Sequence, residues 1–262
     1  MTDMLIIACV GFMTGITTVL FGFGGGFVVV PFVYQLLLRQ PILENNALHI
    51  AVATSTAVMV FNAGWASYKN YKAGKLSLST LFPLFWFIAA GAILGSLISN
   101  FLSESLIRIL FILYMIVTIL DCIYSKNFFI NTDKRQLSSL TTIGGGLTIG
   151  GIAALLGVGG SVMTVPLLRK HGYKMQECVS SANPLSFPVA LCGTLAYTLS
   201  GWGKVPGDTF MGFINLKILL VLVTFGLIGI FVSQRYIPAI NDKWHARIYV
   251  LLLILVLLSM VL

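Results

Sequence analysis

The chain has 262 residues, 58% of them hydrophobic and only 9% charged, with a mean hydropathy of +0.97 and a net charge of +8. Soluble domains carry roughly 25% charged residues, so this composition excludes a soluble domain and describes a polytopic membrane protein. The positive excess follows more simply from the lysine and arginine bias of cytoplasmic loops than from an anion funnel.

Stretches free of Asp, Glu, Lys, Arg and His run over 4–38, 50–68, 76–103, 109–120, 136–168, 178–203, 218–234 and 248–262. A spanning helix needs about 20 mainly apolar residues. The shorter stretches reach that length by extending past a snorkelling Arg108, Lys217 or Arg247. The expectation is eight hydrophobic segments. The opening Met1-Thr2-Asp3 has neither a basic region nor a small-residue cleavage site, so the first stretch reads as a membrane segment, not a cleaved signal. That stretch is interrupted by Phe21-Gly22-Phe23-Gly24-Gly25-Gly26-Phe27-Val28-Val29-Val30-Pro31. The second stretch carries Thr54, Ser55, Thr56 and Asn62. After the fourth comes a polar linker at 126–135. The fifth is again interrupted, by Leu156-Gly157-Val158-Gly159-Gly160-Ser161-Val162-Met163-Thr164-Val165-Pro166, and the sixth carries Ser180, Ser181, Asn183 and Ser186. Cys9, Cys122, Cys178 and Cys192 show no metal or disulfide spacing and read as packed thiols.

The two glycine strings are near copies. Gly22, Gly24, Gly25, Val30 and Pro31 recur as Gly157, Gly159, Gly160, Val165 and Pro166, an offset of 135. At an offset of 129, Ala53, Gly64, Tyr68, Gly74 and Lys75 recur as Ala182, Gly193, Tyr197, Gly203 and Lys204. The chain therefore divides into repeats at 1–125 and 136–262. If all eight segments crossed once, the sixteen Lys and Arg would split eight to eight, against the positive-inside bias. If segments one and five enter and return on the same side, the split becomes twelve to four. Arg39, Arg108, Lys204 and Lys217 are then the external four. Each repeat becomes one glycine-broken segment plus three crossing helices, which makes the two repeats inverted. The fold class expected is thus all-α, with two inverted repeats; a pair of long tilted helices is the alternative for the broken segments.

Glycine aims successive backbone N–H groups at one point, and the helix that follows each string adds a partial positive N-terminus. Two such ends near the midplane would cradle a small anion without a fixed cation. The expected binding residues are Gly24, Gly25, Gly26 and Phe27, their counterparts Gly159, Gly160, Ser161 and Val162, and the polar Thr54, Ser55 and Asn183. Helix packing is the competing account of the glycines: Gly22 and Gly26, Gly91 and Gly95, and Gly146 and Gly150 all have GxxxG spacing. All eight acids (Asp3, Glu44, Glu104, Asp121, Asp133, Glu177, Asp208, Asp242) fall in loops or near helix ends. His49 begins a helix, and His171 and His245 are expected in loops. No zinc-protease motif, nucleophile elbow or P-loop is present, so an enzyme ranks low.

In these residues the chain resembles the TauE/SafE sulfite-exporter family. The glycine-rich string followed by an apolar stretch and Pro, once per half, matches that family's paired signature, and Thr54-Ser55 and the Gly74-Lys75 turn fit its first repeat. The resemblance implies a multi-pass bacterial inner-membrane permease for sulfite, sulfoacetate or a related anion. An uncoupled channel or exchanger for another small anion is the alternative. The sequence departs from two-fold symmetry at Asn183-Pro184, where the first repeat has Thr54-Ser55, and at Ser161, where it has a third glycine. The partners expected are a small anionic substrate and the lipid bilayer, with no nucleic acid and no cofactor; a homodimer is left open.

Overall fold

The computed structural model describes residues 2–39, 43, 46–76, 78–99, 101–129, 133–238 and 240–261. Glu44 and residues 130–132 of the expected linker lie outside these. Helix α1 (Thr2–Phe21) is followed by α2 (Gly26–Leu37), α3 (Ala47–Lys72), α4 (Leu78–Ser99) and α5 (Glu104–Tyr124). A single turn, α6 (Lys126–Phe129), leads to α7 (Ser139–Leu156), α8 (Ser161–Lys170), α9 (Met175–Ser200), α10 (Leu216–Tyr236) and α11 (Asp242–Val261). In hydrocarbon every backbone polar group must be satisfied within the segment, which is why these apolar runs are helices. Seven of them (α1, α3, α4, α5, α7, α10 and α11) are long and apolar enough to cross a membrane. The 26-residue α9 is diluted by Ser180, Ser181, Asn183, Pro184, Ser186 and Pro188. Polar side chains start several helices. Ser103, Ser138 and Asn215 accept hydrogen bonds from the N–H groups of Leu106, Thr141 and Ile218.

Two local features were not anticipated from sequence. The described residues keep the expected all-α class, with one two-residue strand pair, Phe210–Met211 (β1) and Ile214–Asn215 (β2), antiparallel between α9 and α10. The segment expected as a polar linker is docked: Phe128 is fully buried, and its carbonyl accepts a 2.7 Å bond from Arg169 Nε.

Several helix contacts correspond between the halves. α1 lies along α10 as α7 lies along α4, α2 meets α11 as α8 meets α5, and α3 packs on α9 at the centre. The two lateral crossings are glycine contacts. A methyl group at Gly15 would sit 2.0 Å from Gly226 O, and one at Gly150 would sit 2.0 Å from Ile88 O. Methyl groups at Gly91 and Gly95 would sit 2.2 and 2.0 Å from Leu147 O and Gly151 O. Backbones this close require glycine, so the packing account holds for Gly91, Gly95, Gly146 and Gly150.

Helix ends collect at two poles. At one, Lys134 pairs with Glu177, Lys170 with Asp121 and Arg169 with Asp242, and Asn70 Nδ2 donates to Ser180 O. This lysine-rich pole holds the C-terminal ends of α3, α5 and α8 and the N-terminal ends of α9 and α11. At the other, Gln35 Nε2 donates to Ser259 O at 3.2 Å, Arg108 donates to Met260 O, and Glu104 accepts from the N–H groups of Leu48 and His49. His245 is not in a loop as expected. It lies buried in the first turn of α11, where its Nε2–H donates to Leu20 O near the end of α1.

Candidate functional site

Each break is built by glycines that adopt the left-handed region. Gly22, Gly24 and Gly25 have φ of 73, 63 and 93°, and Gly157 and Gly159 have φ of 68 and 72°. Such angles end α1 and α7 because an L side chain there would be strained. Gly160 differs from its counterpart Gly25. It has φ −68°, helical geometry. Neither α2 nor α8 has a side-chain cap on its first turn.

The structure brings the two breaks together. Ser55 Oγ lies 3.0 Å from Gly26 O and 2.8 Å from Gly157 O, one carbonyl from each break. A hydroxyl has a single proton, so Ser55 shares it between the two carbonyls. From the other side, the Tyr249 ring packs 5.3 Å from Phe23, and its O–H donates to Val162 O at 3.1 Å. Met59 fills the space between. A methyl at Gly26 would lie 2.4 Å from its sulfur, and one at Gly159 would lie 2.8 Å from it.

The expected site residues thus separate. Gly24, Gly25, Gly26, Phe27, Gly159, Gly160, Ser161 and Val162 lie around this junction, all buried. Ser55 joins them as a brace, with its proton directed at carbonyls. Thr54 points elsewhere: its Oγ1 accepts the N–H of Asn215, at the start of α10. Asn183 sits at the first break, where its Nδ2 donates to Thr18 O at 3.1 Å, and its buried Oδ1 has no hydrogen-bond partner among the described residues. Ser161 Oγ is likewise buried and unpartnered.

Comparison with known proteins gives the family. The profile of the family described as Sulfite exporter TauE/SafE matches residues 7–260. The chain belongs to the TauE/SafE family. It is 25% identical over 221 residues to a Haemophilus influenzae protein named "probable membrane transporter protein", covering 84% of this chain and 83% of the relative. A Methanocaldococcus jannaschii protein of the same printed description is 23% identical over 241 residues, covering 87% and 86%. No solved structure matches at a significant level. The chain is a multi-pass membrane transporter of this family.

Three parts of the TauE/SafE junction were not singled out from sequence. Met59 and Tyr249 read there as ordinary apolar residues, because the second break that each touches is distant in the chain. Asn62 was noted only as one of several polar residues in its segment. It is fully buried, neither its Oδ1 nor its Nδ2 has a hydrogen-bond partner among the described residues, and a methyl at Gly25 would sit 2.9 Å from its Nδ2. Its counterpart at an offset of 129 is Leu191; Asn62, and Asn183 with its unpartnered Oδ1, both crowd the first break.

Proposed function

We propose that the protein exports a small oxyanion, sulfite or a short organosulfonate such as sulfoacetate, across the bacterial inner membrane by alternating access around the two glycine breaks. In this reading 1–125 and 136–262, joined by the linker 126–135, are inverted repeats, each with one re-entrant segment and three crossing helices. The helix ends support it. α1 ends beside His245 at the lysine-rich pole, whereas α2 ends beside Ser259 at the opposite one. α8 ends beside Asp242, back at the lysine-rich pole, which receives the linker as well. With that pole cytoplasmic, Arg39, Arg108, Lys204 and Lys217 stand at the external ends of their helices, as a positive-inside protein requires.

The observation that carries the proposal is the Ser55 bridge, because it ties both breaks to one point between α3 and α9. Two uncapped helix N-termini at such a point supply N–H donors and partial positive charge without a buried cation. In this reading the N–H groups of 24–27 and 159–162, with Asn183, hold the anion, and Ser55 and Thr54 brace the helices around it. Neutral donors bind an oxyanion loosely enough to release it, whereas charge-assisted bonds are roughly twice as strong.

The test is flux in reconstituted vesicles, with a binding panel of sulfite, sulfate, thiosulfate, sulfoacetate and acetate. Binding confined to the sulfur oxyanions, with flux abolished by Gly25→Leu in protein that still reaches the membrane, is the expected result. Preference for acetate, or full flux in Gly25→Leu, would overturn the proposal. An imposed proton gradient distinguishes coupled export from the uncoupled channel or exchanger reading, which predicts flux that follows the anion gradient alone.

A further inference from the structure

We propose that a cavity of about 360 Å³ at the lysine-rich pole is an anion-loading site separate from the glycine breaks, taking a small anion between Lys69, Lys75 and the hydroxyl of Ser233. This rests on the reading that the cargo is an anion, but not on where the breaks would bind it.

The cavity lies where five helix ends converge. α1 contributes Val19 and Leu20, α3 and its following turn Lys69 and Lys75, α9 Gln176 and Ser180, α10 Ser233, and α11 His245. Among its described lining residues there are two lysines and no carboxylate. Ser233 is 1% exposed, and its Oγ has no hydrogen-bond partner among the described residues. A buried hydroxyl without a partner costs stability unless something else binds it. Three neighbouring polar side chains are already engaged: Ser180 Oγ donates to Gln176 O, Asn70 Nδ2 to Ser180 O, and His245 Nε2–H to Leu20 O. Ser233 is therefore the lining hydroxyl free to donate to a ligand.

Helix dipoles oppose this assignment and are outweighed. The C-terminal ends of α1, α3 and α10 present partial negative charge, and the N-terminal ends of α9 and α11 present partial positive charge. At about half a charge per end, the remainder is roughly half a negative charge. The two lysines bring full charges of the opposite sign, so the cavity is electropositive. The site also leads to the first break. Val179 lines the cavity, and a methyl group at Gly22 would lie 3.0 Å from Val179 O. An anion held at the lysines waits next to the break that the buried amides crowd.

Charged thiol reagents read the potential of this site directly. A cysteine at the exposed lining position Gln176 is labelled from the lysine-rich side with anionic sulfonatoethyl or cationic trimethylammonioethyl methanethiosulfonate, and labelling of the parent protein is subtracted. The anionic reagent should react faster relative to the cationic one. The Lys69→Gln/Lys75→Gln double variant should cut that ratio about tenfold or more at low salt, because both charges lie near the thiol. Lys243→Gln, outside the cavity, should change it less than twofold. Millimolar sulfate or sulfoacetate should slow labelling when the lysines are present, and Ser233→Ala should weaken that protection severalfold without altering the reagent ratio. An unchanged ratio in the double variant, or no protection by either anion, would overturn the proposal. Gly25→Leu, which the glycine-break reading expects to lose flux, should keep both ratio and protection, so failure of one reading is distinguishable from failure of the other.

Discussion

Replacing Gly25 by alanine should damage the protein far more than the same change at Gly160, although the two glycines hold matched places in the duplicated string. Gly25 has φ +93°, where an L residue carries a penalty of about 1–2 kcal/mol. The new methyl would also sit 2.9 Å from Asn62 Nδ2 and 3.4 Å from Val58 Cγ1. Asn62 cannot retreat freely, because the backbone of Gly226 is packed against its amide. Overpacking of this kind costs about 1–3 kcal/mol. The combined cost, about 2–5 kcal/mol, corresponds to roughly a 30-fold or greater loss of the native break conformation. Gly160 has φ −68°, and its methyl would meet only Ile149 Cγ2, at 3.1 Å, among close neighbours. Alanine is favoured over glycine in helical geometry by about 0.5–1 kcal/mol, which offsets that crowding. Flux per folded molecule in vesicles, together with the apparent melting temperature in detergent, measures both variants. The expectation is near-normal values for Gly160→Ala and large losses for Gly25→Ala. Equal losses at the two positions would refute the conformational asymmetry and favour a site symmetric in its backbone.

Ser55→Ala should lower the apparent melting temperature by the equivalent of about 1–3 kcal/mol, since two buried carbonyls lose a shared donor, and it should reduce flux as well; unchanged stability would show that the bridge contributes nothing. Gly150→Leu should block assembly of α4 against α7, read as loss of monodisperse protein on size exclusion, because the side chain points at Ile88 O from 2.0 Å. Arg169→Ala should cost about 3 kcal/mol or more in thermal stability: Arg169 is 1% exposed and ties Phe128 O, Tyr173 O and Asp242 together, and its removal leaves the Asp242 carboxylate without its cation. Asp121→Asn, by contrast, breaks a partly exposed pair with Lys170 and should change flux less than twofold; abolition of flux would make Asp121 a candidate proton carrier and end the uncoupled mechanism.

Composition and the length of the apolar runs determined that this is a polytopic helical membrane protein, because only helices and closed barrels satisfy the backbone in hydrocarbon, and runs of about 20 apolar residues fit helices. The near-copied glycine strings were legible too, and glycine is the residue that tolerates the φ values found at Gly22, Gly24, Gly157 and Gly159, where α1 and α7 end. The paired glycines of α4 and α7 were visible as GxxxG spacings, but not as partners of each other, since spacing within one helix does not name the helix it meets. What only the tertiary structure decided are the contacts between residues far apart in sequence. The Ser55 hydroxyl reaches Gly157 O across 102 positions, Asn183 reaches Thr18 O across 165, and His245 reaches Leu20 O across 225. Equal residues in the two strings also took unequal shapes. Gly25 faces the amide of Asn62 and is left-handed, and Gly160 lies beneath Ile149 and is helical. Local sequence sets which backbone angles are permitted, and the neighbours that arrive on folding select among them.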